Sequence, residues 1–281
     1  MSTPRREPGS DARPAIHPVR IGPVALGPGR PRVIVPLTGA DPDSLREQAG
    51  AVPGSGADLA EWRADHLLAG GAEAAELLLL AAELRVQLGS CPLLLTVRTR
   101  RENGAADLGA QEYAELLGAV IAARAADALD VEMLADEAVS AGIVHRAHEA
   151  GIPVVGSHHD FDGTPPQAEM TARLVRMARL GADVPKLAVM PRDVQDVLAL
   201  MAATAEARSL LRGPLITMSM GELGAITRLG GGIFGSCATF GALREASAPG
   251  QLPVRELRAA LDLLGGASGP GPVRHRGADA R

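Results

Sequence analysis

From Arg32 onward the chain alternates short, strand-like runs that open on apolar residues with longer stretches whose apolar residues recur at helical spacing. The short runs predict eight strands: Val33–Leu37, Leu59–Arg63, Leu93–Arg98, Ala128–Met133, Pro153–His159, Val184–Met190, Leu215–Met220 and Ile233–Ala238. Amphipathic helices are predicted between them over Ala72–Leu88, Gln111–Ala125, Ala135–Ala150, Pro165–Leu180 and Val194–Ala207, with Pro253–Leu264 after the last strand. Thr164 before Pro165 reads as an N-cap followed by a first-turn proline, and Gly151 and Gly181 stand where helices should end. Eight β-α alternations predict a (β/α)8 TIM barrel. The open doubly wound sheet is the weaker alternative, because no G-x-G-x-x-G follows the first strand. Val19–Leu26 predicts a short N-terminal hairpin around Gly22-Pro23. The expected organisation is one barrel domain over 19–265, with flexible tails at 1–18 and 266–281.

Composition narrows the class. A formal charge of −5 removes the basic footprint that a nucleic-acid surface needs. The strongest candidate for a membrane span, Leu77 to Ala82, lies between Glu76 and Glu83 and is far short of the ~18 residues needed. Cys91 and Cys237 are too few for a disulfide framework, and the polar N-terminus has no apolar signal segment behind it. A soluble cytoplasmic protein is expected.

Of 28 basic residues, one, Lys186, is a lysine and the rest are arginines. Arginine replaces lysine readily on a surface, but a guanidinium cannot lose its proton and act as a nucleophile. Lys186 also lies inside an apolar strand, where lysine is rarely found without a partner or a function. The chemistry that needs such a residue is Schiff-base formation with a carbonyl substrate.

In a barrel, function belongs at the C-terminal ends of the strands. Glu61, Arg63 and Asp65 fall there on the second strand, Arg98 on the third, Glu132 on the fourth, His158 and His159 on the fifth, and Ser219 on the seventh. Glu61 and Arg63, two apart, share a strand face. Arg98 with Glu102 reads as an ion pair beyond the third strand. His158 and His159 are adjacent, so a strand turns them to opposite sides: one serves as a general acid/base and the other packs or hydrogen-bonds. With no H-x-H, H-E-x-x-H or C-x-x-C spacing, no metal site is expected. Gly230-Gly231-Gly232 reads as a tight lead-in to the eighth strand rather than a phosphate nest. Ser247-Ala248-Pro249-Gly250-Gln251 reads as a mobile loop able to close over a polyhydroxylated ligand.

Glu61-Trp62-Arg63-Ala64-Asp65, Ser157-His158-His159-Asp160-Phe161, Pro185-Lys186-Leu187-Ala188-Val189-Met190-Pro191, Thr217-Met218-Ser219-Met220-Gly221 and Phe234-Gly235-Ser236-Cys237-Ala238-Thr239-Phe240-Gly241 together resemble the type I 3-dehydroquinate dehydratases, as does the Ser247–Gln251 loop. The resemblance runs from Val19 to Leu264. It implies a hydro-lyase that converts 3-dehydroquinate to 3-dehydroshikimate in the shikimate pathway, without cofactor or metal, as a homodimer. It implies Lys186 as the imine-forming lysine and His159 as the general acid/base. Glu61, Arg63, Arg98, Arg228, Ser247 and Gln251 would bind substrate, with Arg228 on its carboxylate. Glu102 would orient Arg98, and Glu61 would help position His159. Burial beside Arg63 and Arg228 would favour the neutral amine of Lys186. Pro36 and Cys237 depart from some members, outside the inferred chemistry. A class I aldolase uses the same lysine chemistry on the same fold. A non-enzymatic sensor built on this fold would be expected to lack the lysine or the histidine, and this chain has both.

Overall fold

The computed structural model describes residues 16–243 and 250–266, so Ser247 and most of the expected tails lie outside the described residues. The chain opens with the expected antiparallel hairpin, β1 (Val19–Ile21) and β2 (Val24–Leu26), which turns at Gly22 with a positive φ of 53°. Next come β3 (Arg32–Leu37), α1 (Pro42–Gly50), β4 (Leu59–Arg63), α2 (Ala64–Ala69) and α3 (Ala74–Leu88). β5 (Leu93–Thr96) leads through a single 3-10 turn, Arg100–Glu102, into α4 (Ala110–Ala122). β6 (Ala128–Glu132), α5 (Glu137–Glu149), β7 (Val154–Asp160), α6 (Gln167–Arg179), β8 (Val184–Val189) and α7 (Val194–Leu210) keep the alternation. It ends with β9 (Ile216–Ser219), α8 (Ala225–Phe234), β10 (Ala238–Ala242), the short β11 (Leu252–Pro253) and α9 (Val254–Gly266).

Strands β3 to β9 pair in parallel with their sequence neighbours, and β10 pairs with β3. The remaining seam, between β9 and β10, is joined by a parallel bridge from Leu215 to Ser236, and the sheet becomes the expected eight-stranded barrel. Both faces of every barrel strand are covered, which is why the strands open as apolar runs rather than alternating ones before their inward rim positions turn polar. Outward residues such as Val35, Trp62, Leu95, Val131 and Leu187 pack under the helices. Inward residues such as Ile34, Leu59, Leu94, Ala128, Val155, Val184 and Ile216 fill the barrel, where Ile21 and Leu26 of the hairpin join them. The hairpin therefore closes the N-terminal end.

One device recurs at that end. Asp58, Asp127 and Asp183 each stand directly before a strand, β4, β6 and β8. Each accepts the backbone N–H of a residue at the start of the preceding strand: Val33 at 2.8 Å, Leu93 at 2.8 Å and Val154 at 2.7 Å. Each also meets a cation or histidine, Arg258 and Arg30, Arg85, and His148 respectively. A carboxylate that accepts a backbone N–H and pairs with a half-exposed base registers two strands without being deeply buried.

Two expectations fail here. The eighth strand is Ala238–Ala242, not Ile233–Ala238, and Gly230, Gly231 and Gly232 lie within α8. Glycine disfavours helix and Ile233-Phe234 favours strand, but packing overrides both: a Cβ on Gly232 would stand 2.4 Å from Pro31 Cγ. α6 is capped at Pro166 without a side-chain bond, and the Thr164 hydroxyl instead donates to the Met190 carbonyl at 3.0 Å. Gly151 and Gly181 do follow helix ends with positive φ, as expected. Among the described residues no helix is long and apolar enough to cross a membrane.

Candidate active site

At the C-terminal rim the inward positions of the strands change character. The alternation that puts Leu59 in the barrel floor puts Glu61 and then Arg63 above it. In the same way Leu94 is followed by Thr96 and Arg98, Ala128 by Asp130 and Glu132, Val155 by Ser157 and His159, and Val184 by Lys186. These side chains surround a cavity of about 230 Å³ whose lining includes Glu61, Arg63, Arg98, Glu102, His159, Lys186, Arg228 and Gln251. Every described residue of the expected site set is therefore at one mouth. Ser219 is on the outer face, where its amide donates to Thr227 of α8.

Lys186 is 3% exposed, with Nζ 2.9 Å from Asp130 Oδ2, 3.5 Å from Glu61 Oε1 and 4.7 Å from the centre of the Phe240 ring. The charged groups nearest the amine are thus carboxylates, not the expected Arg63 and Arg228. Arg63 is held away by a bidentate pair with buried Asp65, both bonds 2.8 Å. β4 ends at Arg63 and Asp65 belongs to α2, so this pair is made across a strand-to-helix turn. Arg228 is 2% exposed, reaches Met218 Sδ at 3.7 Å, and is pulled down to about 10 by burial.

Arg98 is the hub of the buried charges. It donates to Asp130 at 2.7 Å, Ser157 at 2.9 Å, Glu102 at 3.1 Å and Glu132 at 3.2 Å. Burial opposes the ionised form of Asp130, but the charges of Arg98 and Lys186 override it and hold the carboxyl well below its usual range. Glu132, in contrast, is raised by burial despite Arg98 and its bonds from Thr99. Asp130 is the site residue that the sequence reading missed. Its signal was present: Asp130 and Glu132, two apart in a buried strand, repeat the pattern of Glu61 and Arg63.

His159 lines the cavity and His158 does not, as their opposite facing requires. The partner of His159 is Glu102, not the expected Glu61: Nδ1 is 2.8 Å and the backbone N is 3.1 Å from Glu102 Oε2. Glu61 instead accepts from Thr96 at 2.9 Å and from Lys186. Burial works against a charged Glu102, yet bonds from His158 and His159 and the Arg98 guanidinium bring it down to about 2. Burial, joined by Arg98, lowers His159 to about 4 against the pull of Glu102. At neutral pH the imidazole is therefore uncharged, and Nδ1–H is committed to an ionised carboxylate.

Glu102 owes its place to the tight turn after β5. Asn103 takes a left-handed φ of 58°, and Gly104 passes so close that a Cβ would lie 2.1 Å from the Arg98 carbonyl oxygen. That turn folds Glu102 back over the strand ends. The site can hold an amine, a neutral imidazole and fixed guanidinium donors around one small polar molecule. Among the described residues no group of three or more His, Cys, Asp or Glu side chains is arranged to hold a metal ion.

The family model of type I 3-dehydroquinase matches residues 33–268. The 3-dehydroquinate dehydratase of Klebsiella pneumoniae is 42% identical over 84% of this chain and 94% of its own length. That of Clostridium kluyveri is 43% identical over 88% and 97%. Among solved structures, the Geobacillus kaustophilus 3-dehydroquinate dehydratase superposes with a TM-score of 0.86 at 37% identity, over 91% of this chain and 99% of that one. The type I 3-dehydroquinate dehydratase of Clostridium difficile, solved with covalently modified comenic acid, gives 0.85 at 37% identity over 90% and 99%.

Proposed function

The chain belongs to the type I 3-dehydroquinase family, and from that premise we propose that it dehydrates 3-dehydroquinate to 3-dehydroshikimate through a Schiff base on Lys186. The observation that carries the reading is the address of the chain's one lysine: buried in the cavity that His159 also lines. A relative that holds a covalently modified small molecule is in keeping with a nucleophile at this site.

The steps balance as follows. The ammonium of Lys186 gives up one proton and adds to the substrate ketone as the free amine, that proton leaves with the carbinolamine hydroxyl as water, and a protonated imine remains. That iminium is an electron sink, so the neighbouring C–H becomes acidic enough for the free Nε2 of His159 to remove its proton. The electron pair expels the β-hydroxyl, which takes the proton back from His159 and departs as water. Hydrolysis of the imine consumes one water, matching the one lost when it formed, and frees the product and the lysine as its ammonium. Asp130 and Glu61 hold Nζ at the reacting end of the cavity and stabilise the cationic imine nitrogen. Arg228, buried and poorer in charge stabilisation than a surface guanidinium, binds the substrate carboxylate as a fork. Arg63 and Gln251, with Ser247 of the loop before it, hold the ring hydroxyls. Arg98 acts mainly by fixing Asp130, Glu132 and Glu102.

Borohydride reduction in the presence of 3-dehydroquinate, read by intact mass, tests the reading. An adduct mapped to the peptide carrying Lys186 supports it, and turnover with no trappable adduct refutes the Schiff base. The reading includes a homodimer working in the cytoplasm, which sedimentation at working concentration and cell fractionation check.

A further inference from the structure

We propose that Arg173, acting through His158, is a positioning residue for His159: it fixes the proton arrangement that keeps Nε2 of His159 bare toward the cavity. The inference rests on His159 being the base of the dehydration and extends that site outward to α6.

Arg173 lies on α6, outside the cavity lining. Its Nη1 is 3.0 Å from His158 Nε2 and 3.0 Å from Asp160 Oδ2, and its Nη2 meets Glu169. A guanidinium has donors and no acceptor. Nε2 of His158 must therefore accept, which puts its proton on Nδ1, where it donates to Glu102 Oε1 at 3.1 Å. The other oxygen, Oε2, receives Nδ1 and the backbone N–H of His159 and the Arg98 guanidinium. An ionised carboxylate only accepts, so His159 must also carry its proton on Nδ1, and its Nε2 is left with a lone pair. Arg173 thus fixes His158 as an Nδ1 donor to Glu102 Oε1, which leaves Oε2 to the Nδ1–H of His159.

The charged and titratable groups that face His158 are Glu102 from the 3-10 turn, Arg173 from α6 and Asp160 from the end of its own strand. Arg98 stands behind Glu102, and Glu169 stands behind Arg173. The His158 side chain is 21% exposed. With Arg173 removed, Nε2 of His158 no longer faces a guanidinium donor and can take up a proton. An imidazolium there would compete for Glu102 and place a second cation near His159. The ion pairs of Arg173 with Asp160 and Glu169 are partly exposed, and such pairs add little to stability on their own.

Two measurements test this. In Arg173→Gln, kcat is expected to show an additional loss of about tenfold between pH 7.5 and 5.5 that the wild type lacks, with KM changed less than about twofold. Adding His158→Asn, whose side-chain amide donates to Glu102 but does not titrate, is expected to remove that loss. A uniform drop at all pH values, an unchanged profile, or a loss that persists in the double variant overturns the proposal. Should Arg173→Gln fail to fold, imidazole nitrogen shifts in the wild-type protein decide the matter without mutation. Nδ1–H tautomers for both His158 and His159 at pH 7 support it, and an Nε2–H tautomer or an imidazolium at His158 sinks it. Wild-type protein that cannot turn over 3-dehydroquinate would instead count against the proposed function.

Discussion

The two ends of this barrel use the same side chain for opposite purposes. At the closed end, Asp58, Asp127 and Asp183 each take a backbone N–H and a half-exposed base, and each registers one pair of strands. At the open end, Glu102 takes the amide of His159 and Glu132 that of Thr99, but Glu61, Asp130, Glu132 and Glu102 are held chiefly by side chains. They face guanidinium, ammonium and imidazole groups across a cavity, nearly all of them buried. The closed end is local, with each carboxylate serving one seam. The open end is a coupled set in which Arg98 alone ties three carboxylates together. A buried charge stays charged only while its partners stay in place. Damage at the rim should therefore fall on chemistry, and damage at the floor on folding.

That contrast can be broken at its strongest point first. Lys186→Arg keeps the positive charge beside Asp130 but removes the proposed nucleophile. Turnover is expected to fall by more than about ten-thousandfold, and the borohydride adduct should vanish; substantial residual kcat would end the Schiff-base reading. His159→Gln removes the base and leaves the amine, so kcat should fall about a thousandfold while the adduct still forms.

Acid should separate the ends further. Buried His159 sits at about 4, below the ordinary imidazole value of 6.5. As pH falls through 6.5 the unfolded chain takes up a proton that the folded chain refuses until about 4. Stability is thus lost across that window, by about 3 kcal/mol. Glu102, held at about 2 against an ordinary 4.5, adds a further loss in the same direction below pH 4.5. Urea midpoints at pH 7 and pH 4.5 measure the first loss, and His159→Gln should abolish most of it. The smallest expected effect is at the floor. Asp127→Asn weakens the bonds to Leu93 and Arg85 and should cost about 1 kcal/mol in urea unfolding, with kcat unchanged. A large loss of kcat there would blur the division.

Much of this was legible along the chain, for physical reasons. Strands buried on both faces appear as apolar runs, and seven of the eight lie where those runs predicted. The exception, Ile233–Ala238, follows glycines whose local preference points away from helix, yet Gly230 to Phe234 belong to α8, where Gly232 lies too close to Pro31 for any larger side chain. α1 and α2 went unread because they are short and lack a long apolar period. Lys186 stood out by composition and by its apolar strand. Its actual neighbour, Asp130, is 56 residues away in sequence, and nothing local says that they meet. The same gap led the expectation for His159 to Glu61 rather than to Glu102, which a turn after β5 swings across the mouth. The clasps of the floor had left a trace, the Ala-Asp pairs at Ala57-Asp58, Ala126-Asp127 and Ala182-Asp183.

The hairpin gives the barrel a consequence beyond stability. With Ile21 and Leu26 stoppering its base, the vessel is a blind well among the described residues. In the proposed reaction, ketone, expelled water, hydrolytic water and finished alkene would all pass the same lip, so exit and entry would compete for one passage. Crowding at that lip slows departure as much as arrival, whatever the speed of the bond-breaking below.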